Sequence, residues 1–266
     1  MNLKLKNLAC GYNNKIIIDN ITMHVRSGEI LCILGPNGVG KTTLFKTILG
    51  FLKIQDGEIL LDGQDLKKLS QKQLSKAISY VPQAHTLPFP YTVYDVVLMG
   101  RTVHMGAFLT PSQKDRQIAS ESIDVLGIGY LKEKTYTEIS GGERQMVLIA
   151  RALAQQSQIM ILDEPTSNLD FGNQVKVLEQ INKLAARGIG IIMTSHFPDH
   201  AFLCSAKVAL IERGRIFKIG SMDEVITEEN LKSMYGIDVK IISVKDQYGN
   251  VIKSCIPLLS NIREGD

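Results

Sequence analysis

The chain contains no apolar run approaching the ~20 residues that a helix needs to cross a bilayer. Its first residues, Met1-Asn2-Leu3-Lys4-Leu5-Lys6, alternate like a strand and lack the apolar block of a signal peptide. Contact with a membrane is therefore expected only through a partner, and the expected location is cytoplasmic. Cysteine is scarce: Cys10, Cys32, Cys204 and Cys255 are scattered without metal-ligand spacing. That pattern argues against a zinc or iron–sulfur scaffold and fits buried thiols in a reducing compartment. Charge of one sign is also lacking. Thirty Lys and Arg against 27 Asp and Glu leave a net +3, which gives no footprint for nucleic acid. Sustained heptads, internal repeats and low-complexity stretches are missing too. What remains is a chain of 266 residues, 44% hydrophobic and 21% charged, long enough to bury a full core.

Against this plain background one segment stands out. Residues 35–43 read Gly-Pro-Asn-Gly-Val-Gly-Lys-Thr-Thr, the pattern G-x-x-x-x-G-K-[ST]. The apolar run Ile30–Leu34 precedes it and a helix-like stretch, Thr43–Leu49, follows. Glycines let backbone N–H groups turn toward phosphate oxygens, and the helix points its positive end at them. Lys41 is placed to reach the β/γ-phosphates, and the Thr42 hydroxyl to ligate Mg²⁺. Gly35, Pro36, Asn37, Gly38, Val39, Gly40, Lys41, Thr42 and Thr43 are thus the expected residues for a nucleoside triphosphate.

Strand-like segments at Leu3–Leu8 and Lys15–Val25 flank a turn, Gly11-Tyr12-Asn13-Asn14. Ser70-Gln71-Lys72-Gln73 reads as a capping box opening a short helix, and Ile78–Val81 as a strand. From about 84 to 155 the periodicity turns helical, with starts expected at Thr92, at Thr110-Pro111-Ser112-Gln113 (Thr110 as cap) and at Ser140. Ile159–Leu162 and Gly190–Thr194 read as buried strands, Val175–Ala186 as an amphipathic helix between them, and Val208–Glu212 with Arg215–Lys218 as a hairpin. The expected fold is α/β, with a mainly parallel sheet, an N-terminal antiparallel part and an inserted helical lobe. The tail from about 220 reads as one helix, Glu228–Tyr235, and two short strands.

Asp163 and Glu164 close the strand 159–162, at the sheet end where such folds place ligands. Asp163 is expected in the Mg²⁺ shell and Glu164 on the attacking water. Gln83 and His196 end neighbouring strands, within reach of the γ-phosphate or its water. Tyr12, in an exposed turn, suits stacking on a purine. Each of these three, taken alone, also fits an ordinary local contact. Ser140-Gly141-Gly142-Glu143 reads as a helix cap, yet its glycines expose N–H groups to an anion. A second anion cradle on a separate lobe suggests a site completed by another subunit.

Together and in this order, these pieces resemble the ATP-binding subunit of ABC transporters, over about residues 1–220. Gly35–Thr43 looks like Walker A, Gln83 like the Q-loop, and Ile139–Gln145 like the LSGGQ signature with Glu143 in place of glutamine. Ile159–Asp163 is similar to Walker B, Ser167–Asp170 to the D-loop, His196 to the switch histidine and Tyr12 to the aromatic A-loop. The resemblance implies a P-loop NTPase (RecA-like) core and an ABC ATPase domain over 1–240, with the helical subdomain inserted and residues 241–266 as a tail packed on it. It implies ATP and Mg²⁺ as cofactors and Glu164, His196 and Gln83 as catalytic residues. Thr42, Gln83 and Asp163 would hold the metal. Ser140, Gly141, Gly142, Glu143 and Asp170 would touch the ATP of the partner subunit in a head-to-tail homodimer. The other implied partners are transmembrane permease subunits docked near Gln83 and the helical subdomain and, indirectly, an extracytoplasmic solute-binding protein. The place would be the cytoplasmic face of the membrane. Val93–Arg101 and Leu169–Gln174 resemble the subfamily importing iron complexes (siderophores, haem or cobalamin), some relatives of which carry molybdate or tungstate. A soluble ABC-type ATPase of repair or translation is a second reading. Those usually carry long coiled coils or paired cassettes, which this chain lacks.

Overall fold

The computed structural model describes residues 1–266 apart from 14, 84–89, 107–109, 205 and 260–266. Asn14 of the expected first turn, the start of the expected helical lobe and the end of the expected tail lie outside the described residues. Strands β1 (Asn2–Tyr12) and β2 (Lys15–Arg26) form an antiparallel hairpin whose alternate residues Leu3, Leu5, Met23 and Val25 are buried. The buried strand β3 (Ile30–Leu34) leads into the glycine-rich loop and then α1 (Lys41–Ile48). Next come β4 (Ile54–Leu61) and β5 (Gln64–Asp65), which complete a four-stranded antiparallel sheet in the order β2-β1-β4-β5. Ser70 opens α2 (Gln71–Ala77) with the expected capping box, and β6 (Ile78–Val81) follows.

Among the described residues, the α-helices between β6 and the next core strand are α3 (Val93–Leu98), α4 (Gln113–Val125) and α5 (Gly141–Ala154). They pack on one another as a lobe. The start of α4 corrects the sequence reading. Ser112, not Thr110, caps it, and Asp115, not Gln113, closes the box, with Asp115 N donating to Ser112 Oγ at 3.2 Å. The overlapping frame wins because the Asp115 carboxylate also accepts from Arg101 Nε at 3.0 Å.

The chain then runs through β7 (Ile159–Leu162), α6 (Phe171–Ala186) and β8 (Gly190–Ser195). Helix α6 starts at Phe171 rather than Val175, because the Asp170 carboxylate accepts from Asn173 N at 2.9 Å and caps it there. After α7 (Asp199–Leu203) come β9 (Lys207–Glu212), β10 (Arg215–Ser221), α8 (Met222–Val225) and α9 (Glu228–Tyr235). The last pair, β11 (Val239–Lys245) and β12 (Val251–Pro257), is a separate antiparallel hairpin.

The main sheet has the order β10-β9-β3-β8-β7-β6, parallel throughout except for the edge strand β10. Strand β3 sits between β8 and β9 and is buried on both faces, as its unbroken apolar sequence requires. Leu31 and Ile33 join a core with α1 and the antiparallel sheet, while Cys32 and Leu34 join the core of the helical layer. The turn between β9 and β10 docks on β2, where Asp19 N donates to Gly214 O at 2.8 Å. A Cβ on Gly214 (φ +77°) would lie 2.2 Å from Ile17 O, so only glycine fits. Among the described residues no helix is long and apolar enough to cross a membrane.

Candidate functional site

The loop 35–43 lies at the carboxyl end of β3, and Gly38 and Gly40 adopt φ +80° and +102°. Gly40 is the N-cap of α1, and a Cβ there would approach Ile18 to 2.6 Å. The first bond of the helix, Leu44 N to Gly40 O at 2.9 Å, leaves the N–H groups of residues 41–43 directed out of its end. Lys41 is buried beside them. Its ammonium donates to Gly35 O at 2.6 Å and Pro36 O at 3.0 Å and lies 3.3 Å from His196 Nδ1. Burial draws its pKa below the ordinary lysine value, and the nearby Glu164 and Asp163 carboxylates oppose that. Nδ1 of His196 lies 3.3 Å from Lys41 Nζ and 3.2 Å from Gly35 O, and Nε2 faces Glu164 Oε1 at 2.5 Å.

The acids are held with equal care. Asp163 Oδ2 accepts from Thr42 Oγ1 at 3.0 Å and Tyr80 OH at 3.4 Å, and Oδ1 accepts from Thr194 Oγ1 at 2.9 Å. Burial, reinforced by Asp163, pushes the Tyr80 phenol up to about 12, so it stays a proton donor. Glu164 N donates to Thr194 Oγ1 at 2.8 Å. Glu164 itself has φ +49°, a left-handed conformation that costs a non-glycine residue roughly 1–2 kcal/mol. That turn, at the end of a strand where successive side chains would alternate, brings Glu164 to the same place as Asp163. Its Oε2 accepts from Gln83 Nε2 at 3.0 Å, and its Oε1 lies 3.9 Å from Lys41 Nζ. Lys41, Thr42, Gln83, Asp163, Glu164 and His196 thus form one connected hub. Tyr80 and Thr194 belong to it and escaped the sequence reading. Their signal was a hydroxyl within otherwise apolar strands.

The residues fit the groups that the sequence implies. Two positive-φ glycines, free helix N–H groups and a buried ammonium suit a phosphate chain. Thr42 and Asp163 present a hydroxyl and a carboxylate side by side, hard oxygen donors appropriate to Mg²⁺. Among the described residues no set of three His, Cys, Asp or Glu could hold a metal, so a cation here would complete its shell with nucleotide and water oxygens.

Other expected residues stand apart from this hub. Tyr12 is exposed at the end of β1, on the hairpin whose Ile17 and Ile18 lie against Gly40. Ser140 caps α5, with Glu143 N donating to Ser140 Oγ at 3.3 Å and Ser140 N donating to Glu143 Oε2 at 2.8 Å. Those bonds from Ser140 hold the Glu143 carboxyl below its ordinary pKa, and Tyr130 OH donates to its other oxygen at 3.2 Å. A Cβ on Gly142 would lie 2.7 Å from the Asn173 side chain, so this glycine lets α5 approach α6. Gly141 is exposed, with nothing nearer than 3.8 Å to such a Cβ. Asp170 is engaged as the cap of α6. Among the described residues, no hydrogen bond or ion pair joins 140–143 or Asp170 to the loop 35–43 or to Glu164.

Residues 18–167 match the protein-family model described as ABC transporter. A Haemophilus influenzae protein named as an uncharacterized ABC transporter ATP-binding protein is 40% identical over 235 residues, covering 88% of this chain and 89% of the relative. A Helicobacter pylori relative carrying the name of an iron chelatin transport ATP-binding protein is 35% identical over 244 residues, 91% of this chain and 96% of its own. The molybdate import ATP-binding protein MolC of Haemophilus influenzae is 34% identical, over 88% of this chain and 87% of its own. Among solved structures, a metal-chelate type ABC transporter in an inward-facing conformation superposes with a TM-score of 0.87 at 32% identity, covering 98% of both chains. The chain belongs to the ABC transporter family, as one of its ATP-binding subunits, an ATPase coupled to transport.

Proposed function

We propose that this chain hydrolyses ATP with Mg²⁺ to energise import of a metal complex through partner permease subunits. The observation that carries the reading is the hub itself, where the loop lysine, the Thr42–Asp163 pair and the Glu164–His196 pair meet at one sheet end. Residues 35–43 would cradle the phosphates, Lys41 exchanging its loop carbonyls for phosphate oxygens. Thr42 and Asp163, with Gln83 nearby, would hold Mg²⁺, which neutralises charge on the β- and γ-phosphates. Glu164 polarises the attacking water. His196, held 2.5 Å away, orients that carboxylate, and Gln83 takes its other oxygen. Tyr12 would stack on adenine.

Ser140, Gly141, Gly142, Glu143 and Asp170 would serve the ATP of a second copy, since they lie apart from their own chain's loop. The capped N-terminus of α5 remains an anion site in that role, because Glu143 is held by Ser140 and the helix N–H groups beyond it are exposed at Gly141. The permease would dock on the groove between the core and the helical lobe, lined by Phe51, Leu74, Tyr80, Met99 and Val103. The ATPase domain would run over residues 1–240 with the terminal segment packed on it, at the cytoplasmic face of the membrane. An iron complex is the favoured cargo, supported by the likeness to the iron chelatin and metal-chelate proteins. The MolC relative supports molybdate as a second reading. An extracytoplasmic binding protein would deliver either.

Glu164→Gln tests the mechanism. It keeps the size and one acceptor oxygen but removes the base. ATP binding should persist, turnover should fall by about 10²–10⁴, and an ATP-bound dimer should accumulate in gel filtration. Unchanged turnover removes Glu164 from this role. Uptake of labelled siderophore, haem, cobalamin and molybdate in a deletion strain decides the cargo.

A further inference from the structure

The segment after β10 has no part in the scheme above, yet it grips the loop that carries His196. That loop leaves β8 at Ser195, and His196 stands beyond the last ladder position of the strand. Its carbonyl accepts a hydrogen bond from Tyr235 OH at 3.0 Å. Tyr235 is the last residue of α9, a helix anchored in the main core by Leu231 and Met234 and stopped by Gly236 at φ +71°. Burial raises the Tyr235 phenol far above the ordinary tyrosine value, so the hydroxyl keeps its proton at any working pH. A second tether acts three residues on. Asp199 Oδ1 accepts from Ser254 Oγ at 2.7 Å and from Cys255 N at 3.0 Å, both on β12. The two tethers share one support: Glu228, in the first turn of α9, accepts from Ile241 N of β11 at 3.0 Å.

We propose that Tyr235 is a positioning residue for the reaction, setting the direction of the His196 imidazole through its backbone carbonyl, with the terminal hairpin bracing the same loop at Asp199. Tyr235 acts by leverage. The Nε2–Oε1 contact is close, 2.5 Å, and the peptide after His196 lies outside the sheet ladder; its N–H is held by Ser195 Oγ at 3.0 Å, and its carbonyl needs a hold of its own. A rigid phenol on a packed helix supplies that hold with two rotatable bonds. The inference rests on the reading that His196 serves hydrolysis, and its test separates the two.

Steady-state ATP hydrolysis is measured for the full chain in complex with its permease, as wild type, Tyr235→Phe, His196→Ala and the double variant. Tyr235→Phe retains the ring and loses only the hydroxyl. It should lower kcat about three- to tenfold, the worth of one hydrogen bond, with the KM for ATP unchanged. In the His196→Ala background the same change should have no further effect, because the group it positions is gone. Thermal unfolding of each variant checks that the fold is intact. An equal fold-loss from Tyr235→Phe in both backgrounds, a rise in KM with kcat preserved, or no effect in the wild-type background overturns the positioning role while leaving His196 in place. Full turnover by His196→Ala overturns the reading of the site itself, and Tyr235 then has nothing to act through.

Discussion

Individual side chains in this molecule are decided by how many partners they can satisfy. His200, four residues past His196, is buried, with Nδ1 lying 2.8 Å from Ser195 Oγ and 3.3 Å from Thr166 Oγ1. The ring thereby joins the segment after Glu164 to the loop of His196, and Phe197 covers it at 5.2 Å. Burial holds its pKa down to about 4, against an ordinary 6.5. The unfolded chain therefore binds the proton first. Stability is full above about pH 6.5 and falls as the pH drops toward 4, by up to about 1.4 kcal/mol per unit. Denaturant unfolding followed against pH should show this slope, and His200→Asn should flatten it over that window. An unchanged slope would assign the pH dependence to other groups. None of this was legible in the sequence, where a histidine four residues after His196 carries no pattern. Lys41 and Thr42 were legible from spacing along one strand–loop–helix unit, and Asp163 and Glu164 from their place at the end of the apolar strand β7. The left-handed turn at Glu164 was not, since nothing local demands it. Tyr80 and Thr194 come from two other strands, and only the sheet order brings them to Asp163.

At the level of elements, the helical lobe depends on a small number of polar staples. Arg101 is the chief one. It is buried, donates from Nη1 to Ala154 O at 2.7 Å and Gln156 Oε1 at 2.9 Å, and meets Asp115 through Nε at 3.0 Å. The hydrogen bond from Ser112, with help from Arg101, holds the Asp115 carboxyl down to about 2. One side chain thus joins the segment after α3 to the start of α4 and the end of α5. Arg101→Ala should destabilise the protein by about 2–4 kcal/mol, because the Ala154 carbonyl and Asp115 are left without their partner. Urea unfolding measures the loss, and a change below about 1 kcal/mol would mean that water replaces the guanidinium. The same residue explains a limit of sequence reading. Capping boxes at Ser70 and Ser140 are local and were foreseen, whereas the choice of Ser112 over Thr110 turns on an arginine from another element. Helix α6 was foreshortened for a related reason: Asp170 was read for the partner's nucleotide, and its second role as a cap went uncounted.

For the whole molecule the decisive observation is that, among the described residues, no hydrogen bond or ion pair joins the glycine-bearing N-terminal ends of α1 and α5. If the second serves a neighbour, two differently damaged copies should repair each other. Lys41→Ala should disable a chain's own loop, and Ser140→Arg should disable only what it offers its partner. Each variant alone should be inactive with its permease. A mixture should regain turnover, since a mixed dimer joins the intact loop of the second to the intact α5 end of the first. Silence of the mixture, with both variants folded and dimeric, would end the head-to-tail arrangement.

The sheet order carries a consequence for how the protein is made. The glycine-rich loop hangs from β3, synthesised early, but β3 pairs with β8 and β9, as Ile33 does with Thr194 and Ala209. Such distant parallel pairing is slow and exposes apolar edges until it closes. A nascent chain that has left the ribosome only as far as β7 has its phosphate loop written but unsupported. Nucleotide capture should therefore appear late and abruptly in synthesis, after β9 emerges, which makes ATP itself a ligand able to rescue the freshly completed chain from aggregation.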